Sequence, residues 1–433
     1  MTTEHVRASP GAGRPPGPGD LRLIVRDQPM SLPAHLAHYG PVAQLAGPTA
    51  LIAEVERAGL TGRGGGAFPA GRKLRAVADA TGRRGTAVVV ANGSESEPAS
   101  RKDAVLLSRS PHLVLDGISL AAEATAATRA YLCVGSRGAL ARSLADELVA
   151  RGQAGLDRVQ IEIIGGHDGY VAGQETALIS VLNGGRPTPT LIPPRPAVKG
   201  VGRQPTLVLN VETLAHVALI ARYGAAWFRS VGTAASPGST LITVSGAVRR
   251  PGVREIPLGT PLGEILHRSG LDSPAQAVLT GGYFGSWLPL PATLTVPVSA
   301  PGLRAAGASF GAGVLAVLPD TACGLAETAR VTGFLASQIA GQCGPCRNGM
   351  PALAEAMNWV AFGQPDADVI GWARQLTDLI TGRGACHLPD GAAALVTSAL
   401  TVFSADLHAH AQAGPCERTR RPAILPIPPP GYS

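Results

Sequence analysis

Charge is scarce in this chain: Asp, Glu, Lys and Arg make up 15% of its 433 residues. That excludes a mostly disordered polyelectrolyte, which needs high charge and few apolar groups to stay unfolded. Aromatic residues are scarcer still, at 4%, too few to supply stacking platforms for bases. The formal charge of +7 is scattered in pairs such as Arg83-Arg84 and Arg249-Arg250, with one cluster at Arg418, Arg420 and Arg421. No nucleic-acid partner is therefore expected. No apolar run reaches the roughly 18 residues that a membrane-spanning helix needs, and no charged-then-apolar signal segment opens the chain. The expectation is a cytoplasmic protein without direct membrane insertion, peripheral to a membrane only through partner subunits. Six cysteines are too few for a disulfide framework at this length and read as core thiols or metal ligands.

What is present is apolar and loop-rich: 45% hydrophobic residues, with 55 Gly and 37 Pro. The length implies two to four compact units. Residues 1–20, with GAGRPPGPGD, and 414–433, ending PAILPIPPPGYS, lack apolar periodicity and read as a disordered arm and a flexible tail. Between them a helical pattern near Val42 to Leu60 leads into TGRGGGAFPAGRK. TAVVVAN, AYLCVG and VQIEIIGG then alternate with helical stretches, the signature of an α/β domain built on a parallel sheet, residues 21–238. Short alternating pieces such as LITVSGAV and AVLTGGYFG indicate a small β domain at 239–320. Four amphipathic segments, from Leu325, Pro351, Val369 and Gly391, predict a helical bundle at 321–413.

Two loops carry candidate chemistry. Gly62, Gly64, Gly65 and Gly66 fall within five residues, flanked by Arg63, Arg72 and Lys73. Glycine is needed where backbone amides curl around phosphate, so the segment is either a phosphate cradle or a plain flexible loop. The acidic loop NGSESEPASRKD follows the strongest strand at its carboxyl end, where α/β sheets bind ligands. Glu95 and Glu97 there either accept hydrogen bonds from a ligand or cap the next helix.

At this point a family resemblance enters. GLTGRGGGAFPAGRK resembles GLRGRGGAGFPTGLK of the FMN- and NADH-binding subunit of respiratory complex I, and NGSESEPASRKD resembles NADESEPGTFKD. YVAGQETALISVLNGG and QPTLVLNVETL follow the same family, as does GQCGPCRNGM. The match spans about residues 35–410. It implies an FMN-binding domain, a β-grasp domain of the soluble-ligand-binding type and a four-helix iron-sulfur bundle. It implies FMN on Gly62, Arg63, Gly64, Gly65, Lys73, Asn92, Glu95, Tyr170, Gly173, Glu175, Asn210 and Thr213, and NADH against Phe68 and Glu97. The chain differs from the family at Ser94, Gln174 and Leu209, where polar groups change or vanish. It differs also at Ala76 and Arg195, which replace aromatics; Arg195 could stack on adenine or pair with the extra phosphate of NADPH.

Cys343 and Cys346 form a C-x-x-C, and Cys386 sits in GRGACHLPDG; thiolates so spaced bind iron-sulfur clusters or zinc. In the family four cysteines hold a 4Fe-4S cluster, and the first aligns here with Ala340. A 4Fe-4S cluster with a different fourth ligand, a 3Fe-4S cluster, a Cys3His zinc site using His387, and structural thiols all stand open, with Cys416 a candidate to fold back as the missing ligand. Cys133 and Cys323 read as buried apolar residues, and His167, His408 and His410 lack a ligand-spaced partner. The function implied is oxidation of NAD(P)H, with electrons passing through FMN and an iron-sulfur cluster to a thioredoxin-like 2Fe-2S subunit, a ferredoxin or other electron-transfer subunits. The alternatives are a flavoprotein that no longer uses NADH, or a non-catalytic scaffold with a degenerate cofactor site.

Overall fold

The computed structural model describes residues 15–17, 19–41, 47–135, 138–166, 169–271 and 274–428. Most of the expected arm, the start of the helical pattern at Val42 and His167 lie outside the described residues. Where the arm is described it is docked: the Trp227 indole donates to the Pro16 carbonyl at 2.9 Å.

The first sheet joins β1 (Ala87–Gly93), β2 (Ala127–Val134), β3 (Ile161–Gly165) and β4 (Thr206–Asn210), all parallel, in the order β3-β2-β1-β4. The run of valines in β1 follows from burial on both faces. Val89 and Ala91 join the larger core, with the helices Pro111–Thr125 and Val211–Phe228. Val88 and Val90 pack on the other side with Leu178, Val201 and Val208. The two large helices touch backbone to backbone, since a Cβ on Gly117 would lie 2.1 Å from the Leu214 carbonyl oxygen. Asp116, the preceding residue, anchors this core by bonding His35, Arg151 and Arg222. Burial alone would raise its pKa, but those three partners hold the carboxyl well below the usual range.

The second sheet contains β5 (Ser239–Gly246), β6 (Gly252–Pro257), β7 (Ala275–Thr280), β8 (Ser286–Pro289) and β9 (Val314–Pro319). Its order is β6-β5-β9-β7-β8, with the first and last strands parallel at the centre and the other pairs antiparallel. That is the β-grasp arrangement. Helix Leu262–Arg268 closes one face over Ile242, Val278 and Val317. The other face joins the third part of the molecule through Leu279, Trp287 and Ala316.

That third part is helical, and it holds five helices where four were expected: Gly324–Ser337, Met350–Phe362, Ala367–Ile380, Leu388–Val402 and Ser404–Ala413. The last two form one apolar stretch bent by 76°. Phe403 sits at the bend, its ring over Gly324, where a Cβ would come within 2.2 Å, and 5.3 Å from that of Trp287. Among the described residues no single helix is long and apolar enough to cross a membrane.

The tail expected to be flexible is packed down over 414–428. Both Oε2 bonds of the buried Glu327 come from the Ile424 and Leu425 amides, at 3.0 Å each. The Tyr283 hydroxyl donates to the Pro426 carbonyl, and Leu425 is buried. Proline deprives this segment of a helical or strand pattern, but its Ile424 and Leu425 amides still find a buried acceptor.

Candidate flavin and iron-sulfur sites

The parallel sheet presents the carboxyl ends of β1 and β4 side by side, and the glycine loop lies across them. An amide-to-carbonyl bond from Gly62 to Phe68 (2.8 Å) and a β-bridge between Thr61 and Pro69 pinch the loop closed. Gly65 has φ +103°, a conformation that L side chains rarely adopt, and faces the Gly311 carbonyl of the β-grasp domain. The Gly64, Gly65 and Gly66 amides donate to no acceptor among the described residues, and the space beside Gly66 is open. Successive unpaired amides in a curled loop form a concavity suited to an anion. That fits the phosphate of FMN.

Around this loop the acidic segment and β4 form one polar network. Asn92 donates to the Gly173 carbonyl at 2.8 Å, and Asn210 donates to the Asn92 carbonyl and to Asp103. Asn210 also caps helix Val211–Phe228 through the Glu212 amide. Thr213 accepts from the Arg63 amide at 2.9 Å. Glu95 receives the Asp103 and Ala104 amides and the Ser100 hydroxyl, so it caps the helix Lys102–Arg109. Burial, with Asp103 beside it, raises its pKa. Ser94 keeps a buried hydroxyl oxygen with no partner among the described residues, and Gly173 backs onto it so closely that a Cβ would lie 2.9 Å from the Ser94 carbonyl.

Three residues assigned by resemblance face inward. The Arg63 guanidinium is buried and donates to Thr61 and to the Ser239 carbonyl, 3.8 Å from Glu212. It braces the loop from behind. Glu97 accepts the Tyr170 hydroxyl at 2.6 Å and the Tyr283 and Ala99 amides, tying the acidic loop to the β-grasp domain. Burial pushes the Glu97 carboxyl up to about 7, against the hydrogen bonds from Tyr170, Tyr283 and Ala99.

Phe68, Lys73 and Glu175 instead line a cavity of about 280 Å³ together with Arg72, Ala76 and Arg195. Lys73 donates to Glu175 at 2.7 Å and to the Val208 carbonyl, and the Arg72 guanidinium lies 5.8 Å over the Phe68 ring. Sequence reasoning passed over Lys102, which is buried between Asp103 and Glu212 at 2.6 and 3.0 Å. Burial opposes its charge, yet Asp103 and Glu212 hold its pKa above the ordinary lysine range.

The cysteines form two groups. Cys343 lies in the loop after Gly324–Ser337, and Cys346 lies in the π-helical turn Pro345–Gly349. Cys386, just before helix Leu388–Val402, lies close enough to interact electrostatically with both. Burial pushes the Cys346 and Cys386 thiols up; it would raise Cys343 too, but the Ala385 and Cys346 amides hold that thiol below its usual range. This donor set suits an iron-sulfur cluster. It supplies three thiolates, one fewer than a cluster of four irons uses.

His387 does not join them; its side chain is 89% exposed and pairs with Asp390, which removes the Cys3His arrangement. Cys416 does not complete the set either, because Cys323, His410 and Cys416 form a separate group with ligand atoms all within 4.8 Å. His410 takes the Cys416 amide on Nε2 and faces the Val360 carbonyl with Nδ1. The reading of Cys323 as merely apolar and of His410 as partnerless missed this group, since Cys323 lies 87 residues from His410.

A parallel-sheet domain with an amide cradle at its ligand edge, a β-grasp module and a helical domain with clustered thiols define a flavin- and iron-sulfur-containing electron-transfer protein. Residues 55–219 match the family described as the Nuo51 FMN-binding domain, and residues 326–410 the NADH-ubiquinone oxidoreductase-F iron-sulfur binding region. The NADH-quinone oxidoreductase F subunit of Streptomyces coelicolor is 36% identical over 376 residues, 84% of this chain and 83% of its own length. The corresponding protein of Mycobacterium tuberculosis is 35% identical over 395 residues, 87% of this chain and 88% of its own. Among solved structures, an NAD+-reducing NiFe-hydrogenase chain in the H2-reduced state superposes with a TM-score of 0.77 at 31% identity, covering 86% of this chain. The present chain spans 63% of that hydrogenase chain's length. The chain belongs to the family of NADH-quinone oxidoreductase F subunits.

Proposed function

We propose that this protein oxidises a reduced nicotinamide dinucleotide on FMN and passes the electrons through an iron-sulfur cluster to a partner in a multi-subunit complex. The observation that carries the proposal is the glycine loop, whose Gly64, Gly65 and Gly66 amides have no acceptor among the described residues, with open space beside Gly66. When bound, the flavin accepts a hydride and releases the electrons singly. The residues of this chain do the binding and orienting. The loop amides would hold the phosphate, and Asn92, Ser94 and Asn210 would present polar groups at the strand ends. The cavity between Phe68 and Arg195 would take the dinucleotide's far end.

A second reading concerns which dinucleotide enters. Arg72 and Arg195 line the cavity, while its acid, Glu175, is already paired with Lys73. That surplus of positive charge favours a ligand with an additional phosphate, as in NADPH. Arg195→Ala then lowers the apparent affinity for NADPH more than that for NADH; equal changes exclude this reading.

A partner subunit, whether a thioredoxin-like 2Fe-2S protein or a ferredoxin, is supported by exposed aromatic side chains on the helical part. Trp359, Phe362 and Trp372 are exposed on the two helices that follow the cysteine loop, and exposed aromatics mark interfaces.

The flavin site is tested by titrating the purified chain with FMN and following flavin fluorescence, in the wild type and in Gly65→Val. The wild type is expected to bind with a dissociation constant at or below the micromolar range. The variant should lose about tenfold or more, because a β-branched residue cannot keep φ near +103°. Absence of binding by the wild type would refute the proposal.

A further inference from the structure

The iron-sulfur region, residues 326–410, contains three cysteines, Cys343, Cys346 and Cys386. A cluster of four irons is ordinarily held by four thiolates. The turn Pro345–Gly349, which carries Cys346, packs against the helix Leu388–Val402, which Cys386 precedes, so the three cysteines border one region of the helical part. The position three residues before Cys343, where a fourth thiolate would stand, is Ala340.

Three polar side chains of the flanking segments, Gln338, Ser337 and His387, are committed elsewhere. The segment entering the site runs through Gln338, Ile339, Ala340, Gly341 and Gln342 to Cys343. Ala340 offers a methyl group and packs against the helical core. The Gln338 side-chain carbonyl accepts the Tyr170 amide at 3.1 Å, and the Ser337 hydroxyl donates to the Phe334 carbonyl at 2.7 Å. His387 points to solvent and pairs with Asp390. The two other cysteines of this part, Cys323 and Cys416, are gathered around His410, away from the three.

We infer that this chain carries a 3Fe-4S cluster on Cys343, Cys346 and Cys386, with Ala340 standing where a fourth iron would need its ligand. Each of the three irons receives one thiolate, and all protein ligands are used. The inference rests on the proposed function to the extent that the region must bind an iron-sulfur cluster at all.

The test uses the full chain, purified without oxygen and reconstituted with ferrous iron and sulfide, then assayed for iron, zinc and acid-labile sulfide. Electron paramagnetic resonance is recorded on the oxidised protein. Three ferric ions leave an odd electron, so a 3Fe-4S cluster gives a signal when oxidised, whereas an oxidised 4Fe-4S cluster is silent. The expected result is about three irons per four sulfides and a nearly isotropic signal. Ala340→Cys should lose that signal and gain iron toward four per chain. A wild type with four irons and no signal in the oxidised state would overturn the inference, because the fourth iron would then be held by solvent. Cys386→Ser serves as the control and should lose the cluster. Zinc, or no metal at all, in the wild type would overturn the iron-sulfur reading itself, a failure distinct from an iron count of four.

Discussion

Burial governs how Glu97 responds to pH. Its carboxyl is pushed up to about 7 from an ordinary 4.5, so the folded state keeps the proton over a range in which the unfolded chain has lost it. The unfolded state therefore gains charge alone between pH 4.5 and 7, and stability falls as pH rises through that window, then levels off. The expected loss is about 3 kcal/mol. Glu97→Gln should remove this component, so that urea unfolding curves of variant and wild type converge at low pH and separate toward pH 7. Parallel behaviour across the window would show that the carboxylate is compensated. Residue types in this loop were readable from the sequence, but their orientations were not. Glu95 could equally face a ligand or the next helix, and the Asp103 and Ala104 amides decide for the helix. Lys102 sits in a polar string that reads as surface. It is buried because Glu212, distant in sequence, comes to meet it.

At the scale of elements, legibility followed burial. The valine run of β1, enclosed on both faces, stood out as a parallel strand, whereas β4 did not. Its five residues end at Asn210, which already caps the following helix, so no turn separates strand from helix. The fifth helix of the C-terminal part escaped for the opposite reason. Its apolar spacing continues across Phe403, and the break is made by packing on Trp287 and Gly324. Helix contact yields a sharp prediction at Gly117. Gly117→Val must separate Pro111–Thr125 from Val211–Phe228, because the Leu214 carbonyl occupies the side-chain space. A destabilisation of about 1–3 kcal/mol or more is expected from such overpacking, read as a lowered midpoint in urea. The same change at Gly152, an exposed position with nothing within 4 Å, should cost no more than about 1 kcal/mol. Equal effects at the two sites would contradict the close crossing.

For the whole molecule, single buried carboxylates add polar ties to the apolar contacts that join the parts. Glu212 reaches from the first domain to the Thr240 hydroxyl and Leu241 amide of β5, and Glu97 reaches from the acidic loop to Tyr283. Glu327 fastens the tail. The domain series was legible because composition changes along the chain, but the tail was not, since docking through backbone amides leaves no periodic trace. Ending the chain at Pro422 uncovers the surface under Leu425 and takes both amides from Glu327 Oε2, while Oε1 keeps Arg330. A loss of about 3 kcal/mol is expected, from one buried leucine and two hydrogen bonds. An unchanged thermal midpoint would show that the tail contributes nothing.

That this chain takes electrons from a reduced nicotinamide onto FMN is tested most directly by anaerobic rapid mixing of the FMN-loaded chain with NADH, and separately with NADPH, following flavin absorbance. The predicted result is bleaching of the flavin band by at least one of the two within the mixing experiment. A flavin that stays oxidised with both, yet is reduced by dithionite, would contradict nicotinamide oxidation and leave a flavoprotein served by another donor.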